Sequence, residues 1–394
     1  MSLTTLLPHL AAHAPGFARR LQQAGLKAED LRSAADLAAL PVIRKDDLAQ
    51  MQAADPPFGG FLACAPGELK RIFQSPGPIY DPEARTPDYW RWKPALQAAG
   101  FAPGDVVINC FGYHLTPAGA MFEEGLWAAG CAVIPGGIGS QEAQARLIAD
   151  LNVTGYVGLP SYLKALLEKS EQIGLTCPIQ KAFFTAEPLP PSLRAWLNQR
   201  GVKIARQGYG TAECGNLGFE CERENGWHIP PEIILQICDI NTGQPLPDGE
   251  SGEIVVTLMN PDYALVRFGT GDLSAYATEA CSCTLNTPRL MGWQGRIGDA
   301  VKVRGMFLHP RQLREVMSRF SGQISVWQAV VTRQEHRDFL SLQVELAPSV
   351  SATLTESIAK STHEALKFQI RVESIAPGTL PPDAAPIRDE RTWE

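Results

Sequence analysis

The stretch Asp105-Val-Val-Ile-Asn-Cys110 decides the fold once three later runs are set beside it: Cys131-Ala-Val-Ile134, Gly155-Tyr-Val-Gly-Leu159 and Lys181-Ala-Phe-Phe-Thr185. Each is a short apolar run bounded by Gly, Pro or polar residues, as buried strands are. Between them lie segments with helical composition, 118–130, 141–151 and 161–173. Strand and helix in strict alternation predict an α/β fold around a parallel sheet. Ligands of such sheets gather at the carboxyl ends of the strands. The turns Cys110-Phe-Gly-Tyr-His114, Leu159-Pro-Ser-Tyr162 and Thr185-Ala-Glu-Pro188 fall at those ends.

Upstream, Ala- and Leu-rich segments predict helices over 10–24 and 28–40, with a third starting at Asp46. Downstream of Pro230-Pro231 the pattern changes to short strands, 232–240, 253–259 and 265–268, separated by Gly/Pro/Asp turns. These predict an antiparallel β subdomain over about 216–294 within an N-terminal domain of residues 1–295. A small mobile α+β domain is expected over 299–394. Its helices cover 310–320 and 354–368, its strands 327–332, 339–346 and 370–375, and its hinge 296–298.

Composition narrows the function. The chain has 394 residues, 45% of them hydrophobic and 20% charged, which is ordinary for a globular protein of two or three domains. A net charge of -7 argues against nucleic acid, which asks for a basic face. No run of about 20 apolar residues is present to span a membrane, and no secretory leader is evident at the start. Nine cysteines, an odd number, fit a reducing cytoplasm better than a disulfide framework.

Four blocks occur in order: Gln207-Gly-Tyr-Gly-Thr-Ala-Glu-Cys-Gly215, Thr242-Gly-Gln-Pro-Leu-Pro-Asp-Gly-Glu-Ser-Gly-Glu253, Arg267-Phe-Gly-Thr-Gly-Asp272 and Gly295-Arg-Ile-Gly-Asp-Ala-Val-Lys-Val-Arg-Gly305. Together they resemble the adenylate-forming (AMP-binding) enzymes of the phenylacetate–CoA ligase type. The resemblance implies roles for particular residues. Tyr209, Gly210, Thr211 and Glu187 would border the nucleotide, with Tyr209 stacked on adenine. Asp272 would accept from the ribose hydroxyls, and Arg296 would reach ribose or phosphate. Glu213 would hold a nucleotide-bound Mg²⁺, a hard cation suited to carboxylate oxygen. Gly298 would be the hinge. Lys302, Arg304 and Gly305 would approach the pantetheine arm of coenzyme A. Tyr113, Gly136, Ser161 and Tyr162 would line the acid pocket, where His114 is a candidate general base for an incoming thiol. A histidine bonded to a neighbouring strand end is the alternative for that position.

The chain departs from the family at two places. The family's triphosphate loop is rich in Gly, Ser and Thr and ends in Lys. Here the corresponding stretch is Ser75-Pro-Gly-Pro-Ile-Tyr-Asp-Pro-Glu83. Its prolines lack the N–H groups that cradle phosphate, and Asp81 and Glu83 would repel it. The family's late lysine is not found either: the last lysine is Lys367, and the nearest cation, Arg388, is out of register. These departures lead to the expectation of an acyl- or aryl-thioester enzyme that moves its acyl group between coenzyme A and another thiol, such as an acyl carrier protein, with adenylation impaired or lost. Two alternatives stand beside it. One is an ATP-dependent aryl-CoA ligase releasing AMP and pyrophosphate. The other is a non-catalytic acyl-CoA or nucleotide binder. A homodimer is compatible with each.

A separate set is Cys221, His228, Cys281 and Cys283. Three thiols and an imidazole suit tetrahedral, structural Zn²⁺. Four independent reduced side chains would give the same spacing.

Overall fold

The apolar runs form the centre of a large sheet. The computed structural model describes residues 1–75, 78–297, 301–303, 306–308, 310–335, 337–347, 354–366, 370–381 and 384–392. It divides into two compact units, Met1–Gly295 and Arg296–Glu394.

The first unit begins with helices α1 (Leu3–His13) and α2 (Pro15–Gln23), strand β1 (Ile43–Arg44) and helix α3 (Lys45–Ala54). A hairpin follows, β2 (Arg71–Ser75) and β3 (Ile79–Glu83), and then helix α4 (Lys93–Ala98). The α/β region alternates as β4 (Val106–Asn109), α5 (Ala118–Ala128), β5 (Ala132–Ile134), α6 (Gln141–Asp150), β6 (Gly155–Gly158), α7 (Pro160–Gln172), β7 (Lys181–Phe184), α8 (Pro191–Gln199) and β8 (Ile204–Thr211). Strands β9 (Gly215–Phe219), β10 (Trp227–His228), β11 (Ile233–Cys238), β12 (Gly252–Leu258), β13 (Phe268–Ser274) and β14 (Arg289–Leu290) complete it.

The large sheet runs β14-β10-β9-β8-β7-β6-β4-β5. Strands β5, β4, β6, β7 and β8 are parallel, while β9, β10 and β14 add in antiparallel fashion. Side chains alternate across it with period two. Val107, Val157 and Phe183 pack with Trp92 and Phe122 on one face. Ile108, Tyr156 and Phe184 pack with Leu163, Leu166 and Leu193 on the other. Gly155 is required on β6, because a Cβ there would sit 2.6 Å from the Phe101 ring. A second sheet, β1-β13-β12-β11, packs with α1–α3 in a third core.

Strand β15 (Gly295–Arg296) lies at the boundary between the units. The second unit continues with a β16 (Val301–Val303)–β17 (Met306–Leu308) hairpin, followed by α9 (Pro310–Ser318). Next come β18 (Ile324–Gln334), β19 (Arg337–Leu346), α10 (Leu354–Leu366), β20 (Arg371–Ile375) and β21 (Ile387–Asp389). Its sheet order is β20-β19-β18-β21, and Leu313, Val316, Ala329, Leu342 and Ile358 form its core. Among the described residues, no helix is long and apolar enough to cross a membrane.

Three sequence expectations need correction. Residues 10–24 are not one helix: α1 ends at His13 and α2 starts at Pro15, with Ala14 extended between them. Residues 28–40 are not one helix but two 3₁₀ turns, Ala28–Asp30 and Asp36–Ala39. The Asp36 carboxylate accepts the backbone N–H groups of Arg32 and Ser33 (3.0 and 2.8 Å), a local closure that competes with helix. Residues 265–268 are not a strand either, since β13 starts only at Phe268. Arg267 has φ +53°, and its buried guanidinium donates to the carbonyls of Leu37 and Gly243, so the apolar run before it is a buried turn.

Candidate active site

The turns after β4–β7 converge as the fold requires. Asn109, fully buried at the end of β4, donates to the Tyr113 hydroxyl (2.9 Å) and to the carbonyl of Gly119 (2.8 Å). Tyr113 lies against Gly119 and Gly137; a Cβ on Gly119 would be 2.8 Å from its ring. After β5, Gly136 and Gly137 offer their carbonyls to the Gln144 amide (2.9 and 3.1 Å). The Tyr162 hydroxyl, from the start of α7, donates to Gln144 Oε1 (2.8 Å). Ser161 Oγ donates to Glu187 Oε2 (2.6 Å), linking the β6 and β7 turns. Tyr113, Gly136, Tyr162 and the unforeseen Gln144 thus form one continuous patch with a glycine floor. His114, next in the chain after Tyr113, is exposed to solvent.

A second cluster gathers on β8, β10 and β13. The Tyr209 hydroxyl donates to Asp272 Oδ2 (2.8 Å) and lies 3.3 Å from Thr270 Oγ1. Trp293 Nε1–H donates to Asp272 Oδ1 (3.3 Å). The Tyr209 ring stacks on Trp227, centroids 5.3 Å apart and planes 7° from parallel. Tyr209, Thr270 and Asp272 are all buried. Thr270, Trp227 and Trp293 were missed from sequence, although a Trp two residues before Gly295 and another beside His228 were the available signals.

The third cluster is ionic. Lys45 Nζ, from the start of α3, sits 2.6 Å from Glu213 Oε1. Glu213 is buried, as is Asp81 on β3. Burial alone would push Glu213 up, but the Lys45 charge and hydrogen bonds override it and hold the group below the ordinary carboxylate range. Burial, and then the Glu213 charge, push Asp81 well above that range. Of the pair, Asp81 is the one whose proton is held more tightly. In this position the Lys45 ammonium lies against Glu213 Oε1, the carboxylate that the sequence assigned to Mg²⁺. Gly210 and Gly215 permit the tight β8–β9 turn beneath: a Cβ on Gly210 would lie 2.3 Å from the Gly215 carbonyl oxygen. The Cys214 N–H donates to Thr211 Oγ1 (3.2 Å).

The β2–β3 hairpin corrects one part of the sequence argument. Asp81 and Glu83 do not face a polyphosphate. Both point inward and are buried. Glu83 meets Arg71 at 2.8 Å, and that arginine also donates to Glu124 at 3.0 Å. Pro76 and Gly77, Gly298, Arg304, Gly305 and the Lys302 side chain lie outside the described residues. Arg296 is partly exposed, and Arg388 on β21 pairs with Glu390 at 2.9 Å.

Cys221, His228, Cys281 and Cys283 are brought together, their ligand atoms all within 4.8 Å of one another.

Comparisons with known proteins agree with this architecture. The AMP-binding enzyme family matches residues 89–259, and the AMP-binding enzyme C-terminal domain matches residues 305–388. The phenylacetate-coenzyme A ligase of Escherichia coli (strain K12) is 31% identical over 386 residues, covering 93% of this chain and 85% of that protein. The phenylacetate-coenzyme A ligase of Aromatoleum evansii is 30% identical over 390 residues, covering 93% of this chain and 86% of its own. A crystal structure of 2-hydroxyisobutyryl-CoA ligase superimposes with a TM-score of 0.87 at 24% identity, over 99% of this chain and 88% of that one.

Proposed function

The chain belongs to the AMP-binding (adenylate-forming) enzymes as a relative of the phenylacetate–coenzyme A ligases, and from that premise we propose that it joins a small aromatic carboxylate to coenzyme A. ATP supplies the driving force, and AMP and pyrophosphate leave. The observation that supports this reading is the Tyr209–Trp227–Asp272–Trp293 cluster, stacked rings with a carboxylate between strands β8, β10 and β13, which we assign to the nucleoside. Tyr209, Asp272 and Arg296 are assigned to the nucleotide, with Gly210, Thr211 and Glu187 beside it. Tyr113, Gly136, Ser161 and Tyr162 hold the acid, their two phenol rings and glycine floor suiting a flat ring. Lys302, Arg304 and Gly305 are assigned to coenzyme A. Lys45 and Glu213 set the local charge, and His114 is exposed where it can serve an incoming thiol.

Mass spectrometry of mixtures containing ATP, coenzyme A and one of a panel of aryl and aliphatic acids tests the proposal. The expected result is an aryl-CoA and AMP in equal amounts, dependent on ATP. Absence of any acyl-CoA across the panel would defeat it.

One observation favours a second reading, acyl transfer from coenzyme A to another thiol without ATP. Between β2 and β3 the sequence reads Pro76-Gly77-Pro78, a stretch poor in N–H donors, and no lysine occurs among residues 368–394. That enzyme would pass an aryl group from aryl-CoA to a carrier-protein thiol with no nucleotide present. A protein that binds acyl-CoA and performs neither reaction would be a binder only.

A further inference from the structure

We propose that Cys221, His228, Cys281 and Cys283 bind one structural Zn²⁺ ion that staples the loop before β14 to strands β9 and β10. The four come from three places in the chain. Cys221 follows β9, His228 lies in β10, and Cys281 and Cys283 sit in the irregular segment between β13 and β14. A tetrahedral Cys₃His site has Zn–S near 2.3 Å and Zn–N near 2.0–2.1 Å, so its ligand atoms stand about 3.6–3.8 Å apart. Here Cys221 Sγ and Cys281 Sγ are 3.7 Å apart, and Cys283 Sγ and His228 Nε2 are 3.3 Å apart. No ligand pair exceeds 4.8 Å.

The surroundings match the chemistry of a thiolate-rich metal. His228 Nδ1 lies 3.2 Å from Thr287 Oγ1, and a proton held there leaves the Nε2 lone pair directed at the cluster. The backbone N–H of Arg223 donates to Cys221 Sγ (3.4 Å) and that of Leu285 to Cys283 Sγ (3.3 Å). Such donors stabilise sulfur as thiolate. Three thiolates and a neutral imidazole around Zn²⁺ leave one excess negative charge. Arg289, buried nearby, binds the carbonyls of Asn225 and Glu279 and so ties the two arms of the site together. Cys221 and His228 are buried, while Cys281 and Cys283 are partly exposed, which provides an entry path.

Something has to order this region. Segment 275–288 has no helix or strand beyond the single bridge Tyr276–Leu290. Irregular loops of that length are uncommon in compact domains unless they serve or are held by a ligand. Four protein ligands close the coordination sphere, so the ion is structural, not catalytic. Its influence on the Tyr209–Asp272 cluster is indirect, because His228 is the neighbour of Trp227, which backs Tyr209.

Elemental analysis of the purified full chain, prepared without chelator, should find about one zinc per chain. Cys283→Ser and Cys221→Ser should each cut that content and lower Tm, whereas Cys177→Ser, on a distant loop, should change neither. Should the serine variants fail to fold, growth with cobalt tests the wild-type chain: the thiolate-to-metal charge-transfer band and the visible bands of tetrahedral cobalt are expected. The proposal is overturned if wild-type protein from zinc-supplemented medium carries no zinc and its Tm ignores zinc and chelator alike. It is equally overturned by a Cys221–Cys281 disulfide in the native protein, or by Cys283→Ser retaining full zinc.

Discussion

Lys45, Glu213 and Asp81 show how one side chain sets the charge of a buried site. Lys45 holds Glu213 below the ordinary carboxylate range against the pull of burial, and burial, then the Glu213 charge, push Asp81 well above it. Lys45→Met should therefore strand a buried carboxylate and cost up to about 3 kcal/mol in urea denaturation, the low end for breaking such a pair because Lys45 keeps some exposure. Adding Glu213→Gln should recover most of that loss; a double variant no more stable than the single one would contradict the pairing. Asp81 gives a pH dependence of definite sign. Its folded-state affinity for a proton exceeds that of the unfolded chain, so its burden is absent below the ordinary carboxylate range and grows as pH rises through and above it. Asp81→Asn should match wild type in Tm near pH 4 and exceed it at pH 7. Equal Tm values at both would show that Asp81 ionises freely. None of this triad was legible in the sequence except Glu213. Lys45 and Asp81 lie far from it along the chain, and only the packing of α3 and β3 under the β8–β9 turn joins them.

At the scale of elements, the parallel strands were legible because each is a continuous apolar run that the sheet buries on both faces. Strand β13 was not. It reads Phe268-Gly-Thr-Gly-Asp-Leu-Ser274, a sequence of poor strand formers, with Gly271 at φ +75°. It is a strand because β12 and β1 flank it, and its polar residues are there to meet Tyr209. The turns after β4, β6 and β7 do fall at strand carboxyl ends, but Gln144, which ties the β5 and β6 turns together, lies on a helix face that looks ordinary. The β8–β9 turn makes a sharper prediction. Gly215 has φ +71°, and a Cβ there would lie 2.6 Å from the Trp90 carbonyl oxygen. Gly215→Ala should destabilise the protein by about 1–3 kcal/mol in denaturant titration, and an unchanged midpoint would show that the turn relaxes. The β2–β3 hairpin bears on activity. Replacing Pro76-Gly77-Pro78 with a longer Gly/Ser/Thr loop ending in Lys should raise pyrophosphate exchange by about 10-fold or more, if phosphate contacts limit that step. No gain would mean that the hairpin is not where the triphosphate lies.

The whole molecule joins the architecture of its family to an altered phosphate end. Both units match the adenylate-forming family, and the two runs of matched residues cover most of the chain. The Tyr209–Asp272 cluster draws on both sheets, Tyr209 and Trp227 from the large one and Asp272 and Thr270 from the second, whereas the Tyr113–Tyr162 patch sits on turns of the large sheet alone. Fold and family were legible through four ordered blocks, but the sequence overstated the electrostatic case against ATP, because it could not show that Asp81 and Glu83 turn inward. Against adenylation the sequence still sets the prolines at 76 and 78 and the lack of lysine among residues 368–394. The most direct measurement is exchange of isotopic pyrophosphate into ATP with an aryl acid and no coenzyme A, which reads the first half-reaction alone. The ligase account predicts acid-dependent exchange that Asp272→Ala abolishes. Exchange absent with every acid, alongside ATP-free transfer from aryl-CoA to a thiol, would contradict it.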